Sequence, residues 1–225
     1  MILMMSKFNF FLVVNALLML LISAAAHASD RGDGATVRLL VFGDSLVAGY
    51  GLPQGEDFPT RLGLALRARG HLVETLNGGV SGDTSAGGVS RIDWALADNP
   101  DAVLVVLGGN DALRGLPPES MAANLDTILT AIQLRGMKVM LAGMKAPTNM
   151  GQSYGADFDA AFSDIVGKAA ARGEVLFYPF FLEGVALEPR LNQDDGIHPN
   201  EAGVAVIVEN ILPHVEKLIT SVAKD

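Results

Sequence analysis

The chain has 225 residues, 16 Lys and Arg against 25 Asp and Glu, a formal charge of −9 and no cysteine. That balance argues against a nucleic-acid partner, because phosphate binding needs clustered basic side chains and none occurs, and it disfavours tight adsorption to anionic lipid. Without cysteine there is no disulfide, thiolate metal site or lipid-attachment residue, so the fold must rest on its core alone.

Lys7 is the only charge before Asp30, residues 8–25 are almost wholly apolar, and Ala26-His27-Ala28 has small-x-small spacing. These are the parts of an export signal, with cleavage expected after Ala28. The competing reading is a retained anchor, since the apolar stretch approaches the roughly 20 residues that span a bilayer. The expected organisation is a leader at 1–28, a lead-in at 29–36, one domain at 37–219 and a tail at 220–225. The mature protein is expected in the periplasm or medium, with no stable membrane anchor. No repeat, low-complexity run or long linker interrupts the domain, whose length suits one sizeable core.

Residues 37–42, 102–107 and 138–142 read as buried strands, being short, rich in Val and Leu and closed by Gly. Residues 71–76 and 175–177 are weaker strand candidates. Helical spacing runs over 58–69, 86–97, 118–134 and 157–171, and residues 200–220 close the chain, with 217–225 expected as frayed surface. This alternation predicts an α/β fold, a three-layer α/β/α sandwich of flavodoxin-like type on a five-stranded, mostly parallel sheet. Periodicity does not determine the strand order.

Three loops at strand ends hold unusual residues. Gly43-Asp44-Ser45-Leu46 follows the first strand and places a serine where open α/β sheets collect reactive groups. Asn77-Gly78-Gly79-Val80-Ser81-Gly82-Asp83-Thr84 follows the second and Gly108-Gly109-Asn110-Asp111 the third. The Ser45 and Gly82 N–H groups and the Asn110 amide are candidate donors to the negative oxygen of an acyl-transfer transition state. Singly, each block also reads as a tight turn with Asn or Asp capping the next helix.

Asp194-Asp195-Gly196-Ile197-His198-Pro199 precedes the last helix. A serine hydroxyl needs a base to take its proton, and the imidazole needs an acceptor to hold its tautomer. Beyond the leader only His71, His198 and His214 remain. His71 opens a strand candidate and His214 sits on the last helix beside Pro213, so both read as surface or packing residues. His198 is the better base, and spacing leaves Asp194 and Asp195 equally eligible as its partner.

Together Gly43-Asp44-Ser45-Leu46, Gly82, Gly108-Gly109-Asn110-Asp111 and Asp195-Gly196-Ile197-His198-Pro199 resemble the four ordered blocks of the SGNH (GDSL) hydrolases. The likeness is closest to the bacterial periplasmic thioesterase I, arylesterase and lysophospholipase branch. Asn110-Asp111-Ala112-Leu113-Arg114-Gly115 and Phe180-Phe181-Leu182-Glu183 extend it, and it covers residues 37–219. The resemblance implies Ser45 as nucleophile, His198 as general base, Asp195 as the carboxylate that orients it, and Ser45, Gly82 and Asn110 as oxyanion donors. It also implies a flavodoxin-like fold and a double displacement through an acyl-serine, with no metal or organic cofactor. Consistently, Ser45 lies in no G-x-S-x-G elbow.

In that branch the acyl chain lies between two loops, which here are residues 112–118, with Leu113 and Leu116, and 143–155, with Met144, Pro147, Met150 and Tyr154. The expected substrates are small-molecule esters and thioesters of short to medium acyl length, aryl esters, acyl-CoA thioesters and lysophospholipids included. Two rival readings stand beside this one. A metal-dependent phosphoesterase would use Asp44, Asn110, Asp111, Asp195 and His198 as ligands, and a non-catalytic periplasmic binding module would need none of the reactive groups together.

Overall fold

The computed structural model describes residues 35–222. The expected leader and the extreme tail at 223–225 lie outside the described residues. Five strands, β1 (Val37–Gly43), β2 (Val73–Gly79), β3 (Ala102–Val106), β4 (Lys138–Ala142) and β5 (Val175–Tyr178), form one sheet in the order β2-β1-β3-β4-β5. Every pairing is parallel. This is the flavodoxin-like order, with its switch point between β1 and β3.

The central strands explain the layers. All of β3 and residues 39–42 of β1 are buried, and such unbroken apolar runs need cover on both faces. Helices α2 (Phe58–Ala68) and α7 (Glu201–Val222) pack together on one side. On the other, α3 (Ser85–Ala95) packs against α5 (Pro118–Gln133), and α5 against α6 (Gln152–Ala170). Right-handed crossovers produce this split, because the chain moves outward from β1 to β2 and then back across to β3, β4 and β5. Two short helices, α1 (Ser45–Ala48) and α4 (Gly109–Leu113), follow β1 and β3 directly.

Several expected boundaries shift for physical reasons. The second strand is displaced from 71–76 to Val73–Gly79, so Asn77, Gly78 and Gly79 are ladder residues facing Val41, Phe42 and Gly43 rather than loop. Asn110 and Asp111 lie in the first turn of α4, behind Gly108 at φ 112°. The expected helix at 86–97 is α-helical only over Ser85–Ala95 and ends in a 3₁₀ turn at Leu96–Asp98. Helix α6 starts at Gln152, five residues before the expected 157, so part of the second loop is helical. Residues 217–222 are not frayed, because Leu218 and Ile219 extend the buried stripe of Ile211 and Val215. Each such side chain contributes about 1.5–3 kcal/mol on burial.

Gly79 is where β2 meets the turn that carries Ser45. A Cβ there would stand 2.6 Å from Ala48 Cα and closer still to Ala48 N, and backbone cannot yield as a flexible side chain does. Gly79→Ala is therefore expected to destabilise the fold by about 1–3 kcal/mol, as overpacking does. Urea unfolding checks this through a lower midpoint at unchanged slope.

Candidate active site

Asp44 makes the turn that presents the serine. It caps α1, its Oδ1 accepting the Leu46 N–H at 3.0 Å, and Ser45 becomes the first helical residue, with Gly49 at φ 78° ending the helix one turn later. Ser45 Oγ lies 2.9 Å from His198 Nε2. On the other side of the ring, His198 Nδ1 is 2.6 Å from Asp195 Oδ2. Asp195 Oδ1 accepts the N–H groups of Ile197 at 2.9 Å and His198 at 3.0 Å. One turn thus carries both the imidazole and its acceptor. Asp194 is exposed and makes no hydrogen bond among the described residues, so geometry separates the two aspartates that spacing left equal.

The His198 loop is tied down from several directions. Asn192 bridges Pro199, and Gln193 N–H donates to His198 O at 2.7 Å. The Gln193 amide also donates to Tyr50 O at 2.8 Å and to Pro199 O at 3.0 Å, joining the loop to the chain just after α1. The half-exposed Tyr50 ring lies 4.6 Å from the His198 ring, tilted 40°. His71 instead pairs with Glu216, and the His214 ring packs edge-on against Tyr178.

The proposed oxyanion donors come from the ends of three adjacent strands. Asn110 Nδ2 donates to Asp44 Oδ2 at 3.2 Å. A carboxylate accepts only, so this bond settles the orientation of the amide and leaves its second N–H hydrogen available. The N–H groups of Ser45 and Gly82 have no acceptor among the described residues. Gly82 sits at φ 84° in a turn closed by Asp83 N–H to Val80 O at 3.1 Å, and its carbonyl accepts from Arg114 Nη2 at 2.8 Å.

The two carboxylates beside the serine and the histidine are tuned in opposite directions. Asp44 is 1 % exposed, and burial raises its carboxyl to about 6 against the lowering effect of its hydrogen bonds to Leu46 and Asn110. Asp195 is held down to about 2, chiefly by the backbone N–H of His198, and stays ionised wherever an imidazole titrates.

Of the residues of the metal-site reading, Asp44 meets Asn110 and Asp195 meets His198, while Asp111 turns away from them. Asp111 is buried and accepts from Ser85 N–H at 2.8 Å and Ser85 Oγ at 2.6 Å, joining α4 to the start of α3. Among the described residues, no three His, Cys, Asp or Glu side chains are grouped to hold a metal ion.

Of the expected groove residues, Tyr154 Oη donates to Leu116 O at 2.8 Å, and the Met150 methyl lies where a Cβ on Gly115 would come within 2.9 Å. The two loops are therefore in contact. Leu113 is exposed, and Leu116, Pro147 and Met150 are half-buried. Met144 is only 4 % exposed and belongs to the core, where it cannot line an open groove without repacking. A cavity of about 10 Å³ touches Ser45 and His198 on the side of the buried Phe58, Val204 and Ile207, and none of the expected groove residues lines it. A larger groove of about 410 Å³ between α2 and α7 shares no residue with it.

Tyr50, Gln193 and Arg91 carry no local motif in the sequence, whereas the capping aspartate that the first block allows is realised by Asp44. Gln193 is marked only by its place beside Asp194, and an arginine on a helix face looks like any solvated charge.

Residues 41–206 match the model of the GDSL-like lipase/acylhydrolase family. An arylesterase of Vibrio mimicus is 36% identical over 206 residues, covering 91% of this chain and 98% of that protein. The thioesterase 1/protease 1/lysophospholipase L1 of Escherichia coli K12 is 35% identical over 204 residues, covering 90% and 91%. The crystal structure of AlinE4, an SGNH-hydrolase family esterase, superposes with a TM-score of 0.68 at 42% identity, covering 82% of this chain and 97% of that one. The match over most of the chain, on a fold whose strand ends bring serine, histidine and aspartate together, means that this protein belongs to the GDSL-like lipase/acylhydrolase family and is a carboxylic ester hydrolase of the SGNH type.

Proposed function

We propose that Ser45, His198 and Asp195 form the catalytic triad for hydrolysis of small acyl esters and thioesters. The observation that carries this reading is the continuous relay from Ser45 Oγ through both His198 nitrogens to Asp195, at 2.9 and 2.6 Å. Ser45 Oγ attacks the acyl carbonyl while its proton passes to His198 Nε2. The oxygen that gains the charge is met by the N–H groups of Ser45 and Gly82 and the free hydrogen of Asn110 Nδ2. Asp195 stabilises the imidazolium, which protonates the departing alcohol or thiol. Water, deprotonated by His198, then attacks the acyl-serine and releases the acid. The chain supplies every group this sequence of steps needs, with no cofactor.

The substrates we infer are aryl esters and short to medium acyl esters and thioesters, extending to acyl-CoA and lysophospholipid. The names of the arylesterase and thioesterase/lysophospholipase relatives support that range. Leu113, Leu116, Pro147, Met150 and Tyr154 are the candidate acyl contacts, and a thioether adapts to chains of varied shape. Among the described residues no helix is long and apolar enough to cross a membrane. We infer that residues 1–28 are an export leader, cleaved after Ala28, that delivers the enzyme to the periplasm or the medium.

Hydrolysis of p-nitrophenyl esters of increasing acyl length tests the reading. Activity should fall by several orders of magnitude in Ser45→Ala, and full activity in that variant would refute the triad. Asn110→Ala should lower kcat by about 10² to 10³ and leave KM within a few-fold, because its donor meets charge that develops in the transition state. An effect confined to KM would make Asn110 a pocket residue only.

Hydrolysis should also fall on acidification, because only a neutral imidazole can take the serine proton. The buried Asp44 carboxyl also takes up a proton, near pH 6, and Asp44→Asn removes that contribution: an acid limb that survives in this variant does not come from Asp44. The same variant should be the more stable protein at neutral pH. The raised Asp44 value means that ionisation favours the unfolded chain, a penalty absent below about pH 4, complete above about pH 6 and removed by Asn. Thermal midpoints at pH 7.5 and pH 3.5 check this, the difference between the variants closing at the lower pH.

A further inference from the structure

Arg91 lies on α3, one helix away from the reacting atoms, yet its guanidinium is spent on the backbone that carries the oxyanion donors. Its Nη2 donates to Gly43 O at 2.7 Å, its Nη1 to Gly78 O at 2.9 Å and its Nε to Asp83 Oδ2 at 2.6 Å. The guanidinium carbon stands 4.0 Å from the centre of the Phe42 ring. The side chain is 16 % exposed and Asp83 18 %, so the pair is largely shielded from water.

Each contact bears on a different part of the site. Gly43 O belongs to the peptide that enters Asp44, immediately before the Ser45 N–H, and it also accepts from Val80 N–H at 3.0 Å. Val80 opens, and Asp83 closes, the turn that carries Gly82. Gly78 O is on the last rungs of β2, which lead into that turn. One planar group with its donors in a fixed fork therefore joins the nucleophile peptide to the Gly82 turn. Lysine, a point charge with rotatable donors, cannot reproduce three such directions. The turn itself needs the help: it is short, Gly82 is exposed, and the other side-chain contact made to its backbone at Gly82 comes from exposed Arg114.

We propose that Arg91 is a positioning residue that sets the spacing between the Ser45 and Gly82 N–H donors, and so preorganises the oxyanion hole without touching the substrate. This rests on the assignment of those donors under the proposed function. A hole assembled in advance pays no reorganisation during reaction, and displacement of reacting groups by about 1 Å costs on the order of 10²-fold. The cost falls on the transition state, so it appears in kcat.

The test compares Arg91→Lys and Arg91→Ala with the parent enzyme on a p-nitrophenyl ester, with circular dichroism and thermal midpoints recorded for each. Both variants should lose about 10- to 100-fold in kcat with KM within about threefold. Added N-ethylguanidinium should restore part of the loss in Arg91→Ala. Asp83→Asn keeps the Arg91 donors to Gly43 and Gly78 but weakens the charge-assisted bond, and should lower kcat in the same direction by less. Should Arg91→Ala fail to fold, Arg91→Lys and Asp83→Asn carry the comparison. Folded variants with parental kcat, a change in KM alone, or a loss that matches the unfolded fraction at the assay temperature would overturn the proposal. Hydrolysis by the parent that survives Ser45→Ala would instead remove the donor assignment, and the proposal with it.

Discussion

The site depends on one alignment in the parallel sheet: Gly43 of β1 stands level with Gly79 of β2 on one side and Val106 of β3 on the other. The paired residues of β1 and β3 are buried, so their register is held by the core, while the edge strand β2 is held to β1 by its ladder. Every reactive group of this end then follows within a few residues of a common line. Ser45 comes two residues after Gly43, Gly82 three after Gly79, and Asn110 four after Val106. The glycine at 79 lets the α1 backbone settle directly on β2, which draws the serine and the Gly82 turn together.

The chemistry is distributed between two carboxylates that burial treats differently. Asp195 is partly exposed and saturated with donors, so it stays charged and can hold the imidazole in one tautomer while stabilising its cation. Asp44 is enclosed, and its charge is tolerated because Leu46 N–H and the Asn110 amide answer it. The fold bears that cost where it orients the Asn110 amide, and unfavourable burial tends to concentrate at functional sites. A neutral residue at 44 would ease the core and loosen the amide.

The two loops beside the site brace one another through Tyr154 and Leu116 and through Met150 and Gly115. They bring adaptable side chains together without enclosing a volume. The Tyr50 ring against His198 and the Gln193 amide between their two segments hold the His198 ring beside Ser45.

Much of this was written in local sequence. Short Val- and Leu-rich runs closed by glycine marked β1, β3 and β4, and the order of the glycine, asparagine and Asp-x-x-His blocks pointed to Ser45, Gly82, Asn110, Asp195 and His198, because such residue types at strand ends carry their chemistry with them. Edges were less legible: β2 extends through Asn77-Gly78-Gly79 because a neighbouring strand supplies hydrogen bonds that glycine does not advertise. The positioning contacts were not legible at all. Arg91 meets Gly43 across 48 residues and Gln193 meets Tyr50 across 143, and neither has a local pattern. By itself the sequence determined which groups are candidates to react, since a serine, an imidazole and short polar turns are properties of side chains and their immediate segments, and the resemblance already marked Asp195 over Asp194. Only the tertiary structure decided how those groups are held, with Asp195 against the ring and Arg91 and Gln193 joining distant segments, since such distances are not encoded by chain spacing.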